Sequence, residues 1–333
     1  MRLDDCDFNS ISGVSMAPFV RNAPEDEWAN AASNGIIPSS LYDLYQRANF
    51  LSFGASPRFL SDGESILWSY FALVLRSIHS SLVDAHEQAA SFAAARELVY
   101  DPAKMRRGER WEKDADKRAR RHFRDLLIAL QSSLDSLADV IAIFFPGCIS
   151  GLKIGRAQFS TIEAWFTGPP PTASVIAAPS EFCLNKLYDA VKALILAPHP
   201  ETDWLPMMHL LRNKSVHLAE PMFRLVGLPQ VGDGRFFAFI PRQWPYLWES
   251  LMTPPGQQPR NPSLLPQLLR DTLIHQDIVT YSCDLLAKVK AVIAAASPVL
   301  NETYDQFKDL PHNQSALAEL KSNFKKYDFE NFV

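Results

Sequence analysis

Apolar side chains recur at three- and four-residue spacing through most of this chain, and that period predicts α-helix. The longest run opens at Asp62. "DGESILWSYFALVLRSIHSSLVDAHEQAASFAAARELVY" reaches Tyr100 with no Gly or Pro after Gly63, and Asp101-Pro102 breaks it. A charged segment, residues 104–125, leads into a second long helix, "HFRDLLIALQSSLDSLADVIAIFF", which Pro146-Gly147 ends. Residues 147–180 are loop-rich, with "GPPP" at 168–171. A third helix follows, "SEFCLNKLYDAVKALIL", with Ser180 as its N-cap. Pro198 and Pro200 separate it from a fourth, "TDWLPMMHLLRNKSVHL", which Thr202 or Asp203 can cap and whose first turn accommodates Pro206. The last long helix is "SLLPQLLRDTLIHQDIVTYSCDLLAKVKAVIAAA", after which the tail from Ser297 adds one or two short helices. A shorter helix is expected at "SSLYDLYQRANFL".

Between the fourth and last helices the period changes. "MFRLVGLPQVGDGRFFAFIP" predicts two strands around a Gly-Asp-Gly turn, a β-hairpin. No βαβ alternation and no internal repeat occurs. The expected fold class is all-α, a bundle of four to five long helices with a small β-hairpin insertion. The expected division is an N-terminal arm over 1–60, the helical body over 61–300 with the hairpin at 222–241, and a tail with short helices over 301–333.

Composition narrows the functional classes. Hydrophobic residues make up 47% of the 333, enough for a proper core. The net charge of −4 is too small for wholesale attraction to nucleic acid or membrane, so any anion site must be a local patch. Cys6, Cys148, Cys183 and Cys283 are far apart, which argues against a zinc module or disulfide scaffold and suits a cytoplasmic protein. The first residues, "MRLDDCDFNSISG", lack the apolar region of a signal peptide, and no run of roughly 18 uninterrupted apolar residues occurs. The expectation is therefore no membrane association, with the sequons at Asn301 and Asn313 as chance matches.

The fourth helix carries the concentrated chemistry. His209, Asn213 and His217 are each four apart and share one stripe, with Arg212 about 100° from Asn213. Trp204, Leu205, Met207, Met208, Leu210, Leu211, Val216 and Leu218 surround them on nearly all sides. Buried polar groups cost free energy unless they are paired or used. One reading is structural: His217 favours the helix dipole at the C-terminus and Arg212 pairs with an acid on a neighbour. The other is a reactive site.

"RNKSVH", Arg212 to His217, resembles the Arg-x4–6-His signature of HEPN domains in its Arg-Asn-x-x-x-His form. It stands where that family has it, late in a long helix of an all-α domain. The resemblance covers residues 60–300 and rests on one short motif with its helical context. It implies metal-independent RNA cleavage with no cofactor, by homodimers whose motifs face each other, in toxin–antitoxin, abortive-infection or CRISPR-linked systems. Carried over, Arg212 holds the scissile phosphate, His217 is the general acid or base, and Asn213 orients the histidine or binds phosphate. His209 lies outside the motif, as an auxiliary partner or a packed core histidine. The implied partners are RNA, a second copy of the chain, and an antitoxin or activator protein. Inactive relatives of this type serve as scaffolds, so a regulatory module binding RNA, a nucleotide or a protein is the alternative.

Other clusters are less specific. Residues 104–125 hold ten basic against five acidic side chains, either a solvated helix or a phosphate-tracking patch in which Arg118, Arg120, Arg121 and Arg124, with Lys214 nearer the motif, contact RNA. Trp111 and Phe123 pack or stack on bases. Asp135 and Asp139 share a helix face, as an exposed edge or as orienting groups for Arg212 or His217. With His79 and His86 they suggest no metal site, since no Glu-x-x-His motif occurs. "GDGR" at 232–235 is turn chemistry, and nothing singles out Arg224 or Arg235. Nucleotide-loop and nucleophile-elbow motifs are absent.

Overall fold

The computed structural model describes residues 25–49, 62–99, 113–167, 178–195, 204–217, 224–227, 236–239 and 278–307. They form eight helices: α1 (Glu25–Ser33), α2 (Ser39–Asn49), α3 (Asp62–Val99), α4 (Lys113–Phe144), α5 (Phe159–Thr167), α6 (Ala178–Ile195), α7 (Trp204–His217) and α8 (Ile278–Phe307). Two four-residue strands, β1 (Arg224–Gly227) and β2 (Phe236–Phe239), pair antiparallel with Arg224 opposite Phe239. The described chain is thus all-α in character. The Gly-Asp-Gly turn and the segment 263–277 lie outside the described residues.

The centre of the fold is the antiparallel pair α3 and α4. Leu67, Phe71, Val74, Ile78, Leu82, Ala85, Ala89, Phe92, Ala95 and Val99 are buried at steps of three and four. Ala115, Ala119, Phe123, Leu126, Leu130, Ser133, Leu137, Val140 and Phe144 answer them on α4. Such a spacing keeps one stripe on one side of each helix. Edge contacts of Phe71 with Phe144 (5.2 Å) and a tilted contact of Phe92 with Phe123 (5.3 Å) fix the register. Polar cross-links lie along the same seam: His122 Nδ1 to Gln88 Oε1 at 2.8 Å, and Ser136 to Ser77 at 2.9 Å.

Helix α4 starts well before the expected His122. The charged residues from 113 onward join it because Ala115 and Ala119 continue the buried stripe, Asp114 and Asp116 favour the N-terminal dipole, and Arg120 pairs with Asp116 at 2.8 Å. Phe123 packs in this seam rather than presenting itself to a base. Helix α4 also holds an 18-residue window with mean hydropathy 1.6, long and apolar enough to cross a membrane, of which 72% is buried inside the protein. The absence of an uninterrupted apolar run therefore understated its apolar character.

Helix α8 packs against α6, α2, α4 and α3. It runs through Pro298 to Phe307, where new short helices were expected after Ser297. Pro298 falls on an exposed face, while Ala296, Leu300 and Tyr304 stay buried, so packing outweighs the missing N–H. Helix α2 is tied to it by Arg47, which pairs with Asp305, donates to the Asn301 carbonyl at 3.3 Å and stacks on Tyr304 at 4.6 Å. Asn301 itself donates to the Ser40 carbonyl, so this sequon asparagine is held by the fold. Helix α1 rests through Trp28 on Tyr45 and His79, at 3.9 and 4.3 Å between rings.

Helix α6 begins two residues before Ser180, which is therefore inside the helix and not its N-cap. Helices α1 and α5 were not anticipated. Before α5, Gly147 and Gly155 take positive φ of 73° and 75°, a conformation that side chains resist, and let the chain double back over the end of α4. No disulfide joins Cys148, Cys183 and Cys283.

Candidate functional site

Helix α7 carries the Arg-Asn-His sequence. Trp204, Leu205, Met208 and Leu211 are buried, and α7 packs on α4. Trp204 also donates its indole N–H to the Leu194 carbonyl at 3.4 Å, which ties the start of α7 to the end of α6. Pro206, in the first turn, costs no helical hydrogen bond there.

The polar residues rise from this apolar base. Arg212 is half-buried and donates from Nη1 to Asn213 Oδ1 at 3.0 Å, while Asn213 is exposed. The two residues expected to act on phosphate are therefore hydrogen-bonded neighbours. His217 is the last residue of α7, and its side chain, like that of Lys214, lies outside the described residues. His209 is half-buried, with Nε2 at 3.4 Å from Glu163 Oε2 on α5. That approach is not a hydrogen bond, since His209 Nε2 has no hydrogen-bond partner among the described residues.

Asp135 and Asp139 are not the exposed edge that was one expectation, and an orienting contact with His217 falls outside the described residues. Both are half-buried and both bind the segment that leads into α5. Asp139 accepts from the Gly155 N–H at 2.8 Å through Oδ1 and from the Tyr70 hydroxyl at 2.8 Å through Oδ2. Asp135 accepts from the Phe159 N–H at 2.8 Å and from Gln131 at 2.9 Å. They are clasps for a loop and a helix end, not an exposed edge or orienting groups for Arg212. Burial raises the Asp139 carboxyl above its usual range, against hydrogen bonds from Tyr70, Gly155 and Ala157 that lower it. Burial and the Asp139 charge raise the Tyr70 phenol in turn. The pair is a hydrogen-bonded structural unit rather than a free base.

The basic residues of α4 divide. Arg118, Arg121 and Arg124 are exposed, whereas Arg120 is half-buried against Asp116 and Arg124 also pairs with Asp125 at 2.8 Å. Segment 104–112, including Trp111, lies outside the described residues, as do Arg235 and the side chain of Arg224. His79 is buried against Trp28 and His86 is exposed, so they do not converge. Among the described residues no group of three His, Cys, Asp or Glu side chains is arranged to hold a metal ion.

Sequence reading missed Glu163. Its only local signal is the short apolar period of "FSTIEAWF", too brief to announce a helix. Comparison of the chain with protein-family models, with curated proteins and with solved structures finds no match.

Proposed function

We propose that this protein is a HEPN-like, metal-independent endoribonuclease of a defence or toxin–antitoxin system, cytoplasmic and homodimeric, acting under an antitoxin or activator protein. In this reading the long helices form a bundle of four to five with a β-hairpin inserted at the paired strands. The observation that carries it is the Arg212–Asn213 hydrogen bond late in a continuous helix that ends on His217. A guanidinium joined to an amide at a helix end offers several fixed N–H donors to a phosphate.

The chemistry uses the RNA's own nucleophile. One His217 takes the 2′-OH proton as the 2′-oxygen attacks phosphorus, and the P–O5′ bond breaks. A protonated His217 from the second copy gives its proton to the departing 5′-oxygen. Arg212 stabilises the charge that grows on the phosphoryl oxygens, and Asn213 holds Arg212 or the phosphate. The products are a 2′,3′-cyclic phosphate and a 5′-hydroxyl.

A second reading is favoured by one contact. His209 faces Glu163, and Arg212 is half-buried, as expected of a polar network that secures α5 to α7 in a scaffold binding RNA, a nucleotide or a protein. Cleavage of labelled total RNA and tRNA in EDTA separates the two. Arg212→Ala and His217→Ala, each checked by circular dichroism, should lose about 100-fold or more in rate while staying folded. Folded wild-type protein that leaves RNA intact, beside variants that melt early, would turn the assignment to the scaffold.

A further inference from the structure

The first turns of α4 carry charge on the side that the core does not use. At 100° per residue, Lys117, Arg118, Arg121 and Arg124 fall within an arc of about 120°. The buried Ala115, Ala119, Phe123 and Leu126 fall on the opposite side, where α4 packs on α3. All four cations are exposed, and they span about 10 Å of helix axis. Acidic neighbours neutralise them only in part. Lys117 approaches Asp114 at 3.9 Å, but both side chains are 78% exposed, and such a pair contributes little. Arg124 is held by Asp125 at 2.8 Å. Arg120 stands on the flank, half-buried against Asp116, and adds no cation to this face. Four cations against the carboxylates of Asp114 and Asp125 leave the face positive, in a chain whose net charge is −4.

The chemistry of the face selects its partner. Three of the four cations are guanidiniums, whose fork of N–H donors matches phosphate oxygens. A membrane-surface helix sets an apolar face beside its cations. Here the apolar face is buried on α3, and no apolar residue is exposed between 114 and 124. A protein interface is centred on an apolar or aromatic anchor, which this face also lacks. A straight row of cations on a well-packed helix fits an anion that is itself linear, with phosphates in sequence.

We propose that Lys117, Arg118, Arg121 and Arg124 form a docking face for the phosphate backbone of RNA, on a different helix from Arg212 and His217. In taking RNA as the partner it rests on the ribonuclease reading, but the face holds phosphates whether or not a bond is cut. Contacts of this kind release counterions and carry no sequence information, so the face contributes affinity and not specificity.

The test uses the full-length chain and a fluorescein-labelled 2′-O-methyl RNA, which has no free 2′-OH to attack its own phosphate. Anisotropy titrations between about 50 and about 200 mM KCl give the dissociation constant and its salt dependence. Lys117→Gln, Arg118→Gln, Arg121→Gln and Arg124→Gln combined, checked by circular dichroism, should weaken binding about tenfold or more at the lower salt. The slope of log K against log salt should become shallower by about 2 to 3. Arg120→Gln, whose cation Asp116 engages, should bind within about twofold of wild type. Unchanged affinity and slope in the folded fourfold variant overturn the proposal, as does a wild-type chain that does not bind. Should that variant not fold, an unchanged slope in Arg118→Gln with Arg121→Gln, where a decrease of about 1 is expected, overturns it equally. A loss in Arg120→Gln as large as in the fourfold variant would overturn the assignment to this face. Tighter binding to phosphatidylserine vesicles than to the RNA, lost in the fourfold variant, would give the face to a membrane surface instead. Wild-type protein that binds this RNA but leaves unmodified RNA intact would refute the ribonuclease reading alone.

Discussion

His79 shows how one side chain records its surroundings. It is 6% exposed, stacked on Trp28, and its Nε2 has no hydrogen-bond partner among the described residues. Burial lowers its pKa below the usual value near 6.5; the Glu27 charge and a hydrogen bond to the Glu27 backbone oppose this, and Arg76 adds to it. The folded state therefore takes up the His79 proton at lower pH than the unfolded chain does. Above about pH 6.5 both states hold it neutral and stability is unaffected. As pH falls from there towards the folded pKa, the unfolded chain binds the proton first and stability declines, by at most about 1.4 kcal/mol per pH unit. His79→Phe keeps the stack on Trp28 and removes the titration. Urea unfolding from pH 7.5 to 5 should show a shallower loss in the variant, and parallel curves would mean that His79 is not the titrating group. The burial was legible from the stripe of α3, but Trp28 was not, because the two meet only when α1 docks.

Elements were legible where one stripe dominates. The starts of α2 and α3 and the ends of α3 and α4 follow from spacing and from Pro or Gly stops, within the usual drift at helix ends. Short α1 and α5 were not, since nine residues give barely two periods and their ends are fixed by others: α5 is capped by Asp135, a residue of a different helix. That Arg212, Asn213 and His217 share one helix was legible from their spacing, whereas Glu163 comes near His209 only through tertiary structure. Helix α8 teaches the opposite lesson, since it runs on past the end expected at Ser297, through Pro298. Its ring leaves the Ala294 carbonyl without the usual N–H, near Ser297, which already donates to Ile293. Pro298→Ala supplies that N–H on an exposed face. The gain, offset by a more flexible unfolded chain, should be about 1–2 kcal/mol. A higher urea midpoint with an unchanged m-value is the expected result, and no gain would show that the α8 backbone does not run helically through this position.

At the scale of the molecule, the proposed reaction needs two proton carriers and one chain offers one at the motif. During a single transesterification step, one imidazole must lose a proton while another gains one, so a lone His217 cannot serve both oxygens at once. In the proposed reading, a two-fold, isologous contact between copies would supply the second His217 and a second Arg212 around the same phosphate. The net charge of −4 adds a constraint: phosphate must be attracted by these local cations, because the whole surface does not attract it. Sedimentation velocity should therefore find a species of twice 37.4 kDa at the concentrations where RNA is cut. On dilution the specific activity should fall in step with the dimer fraction, since a monomer holds half a site. Mixing subunits of Arg212→Ala with wild type should depress activity by more than the fraction of altered chains, because every mixed dimer has lost one cation at the shared phosphate. Undiminished turnover by a monomer would refute the composite site and require both proton transfers to be served within one chain.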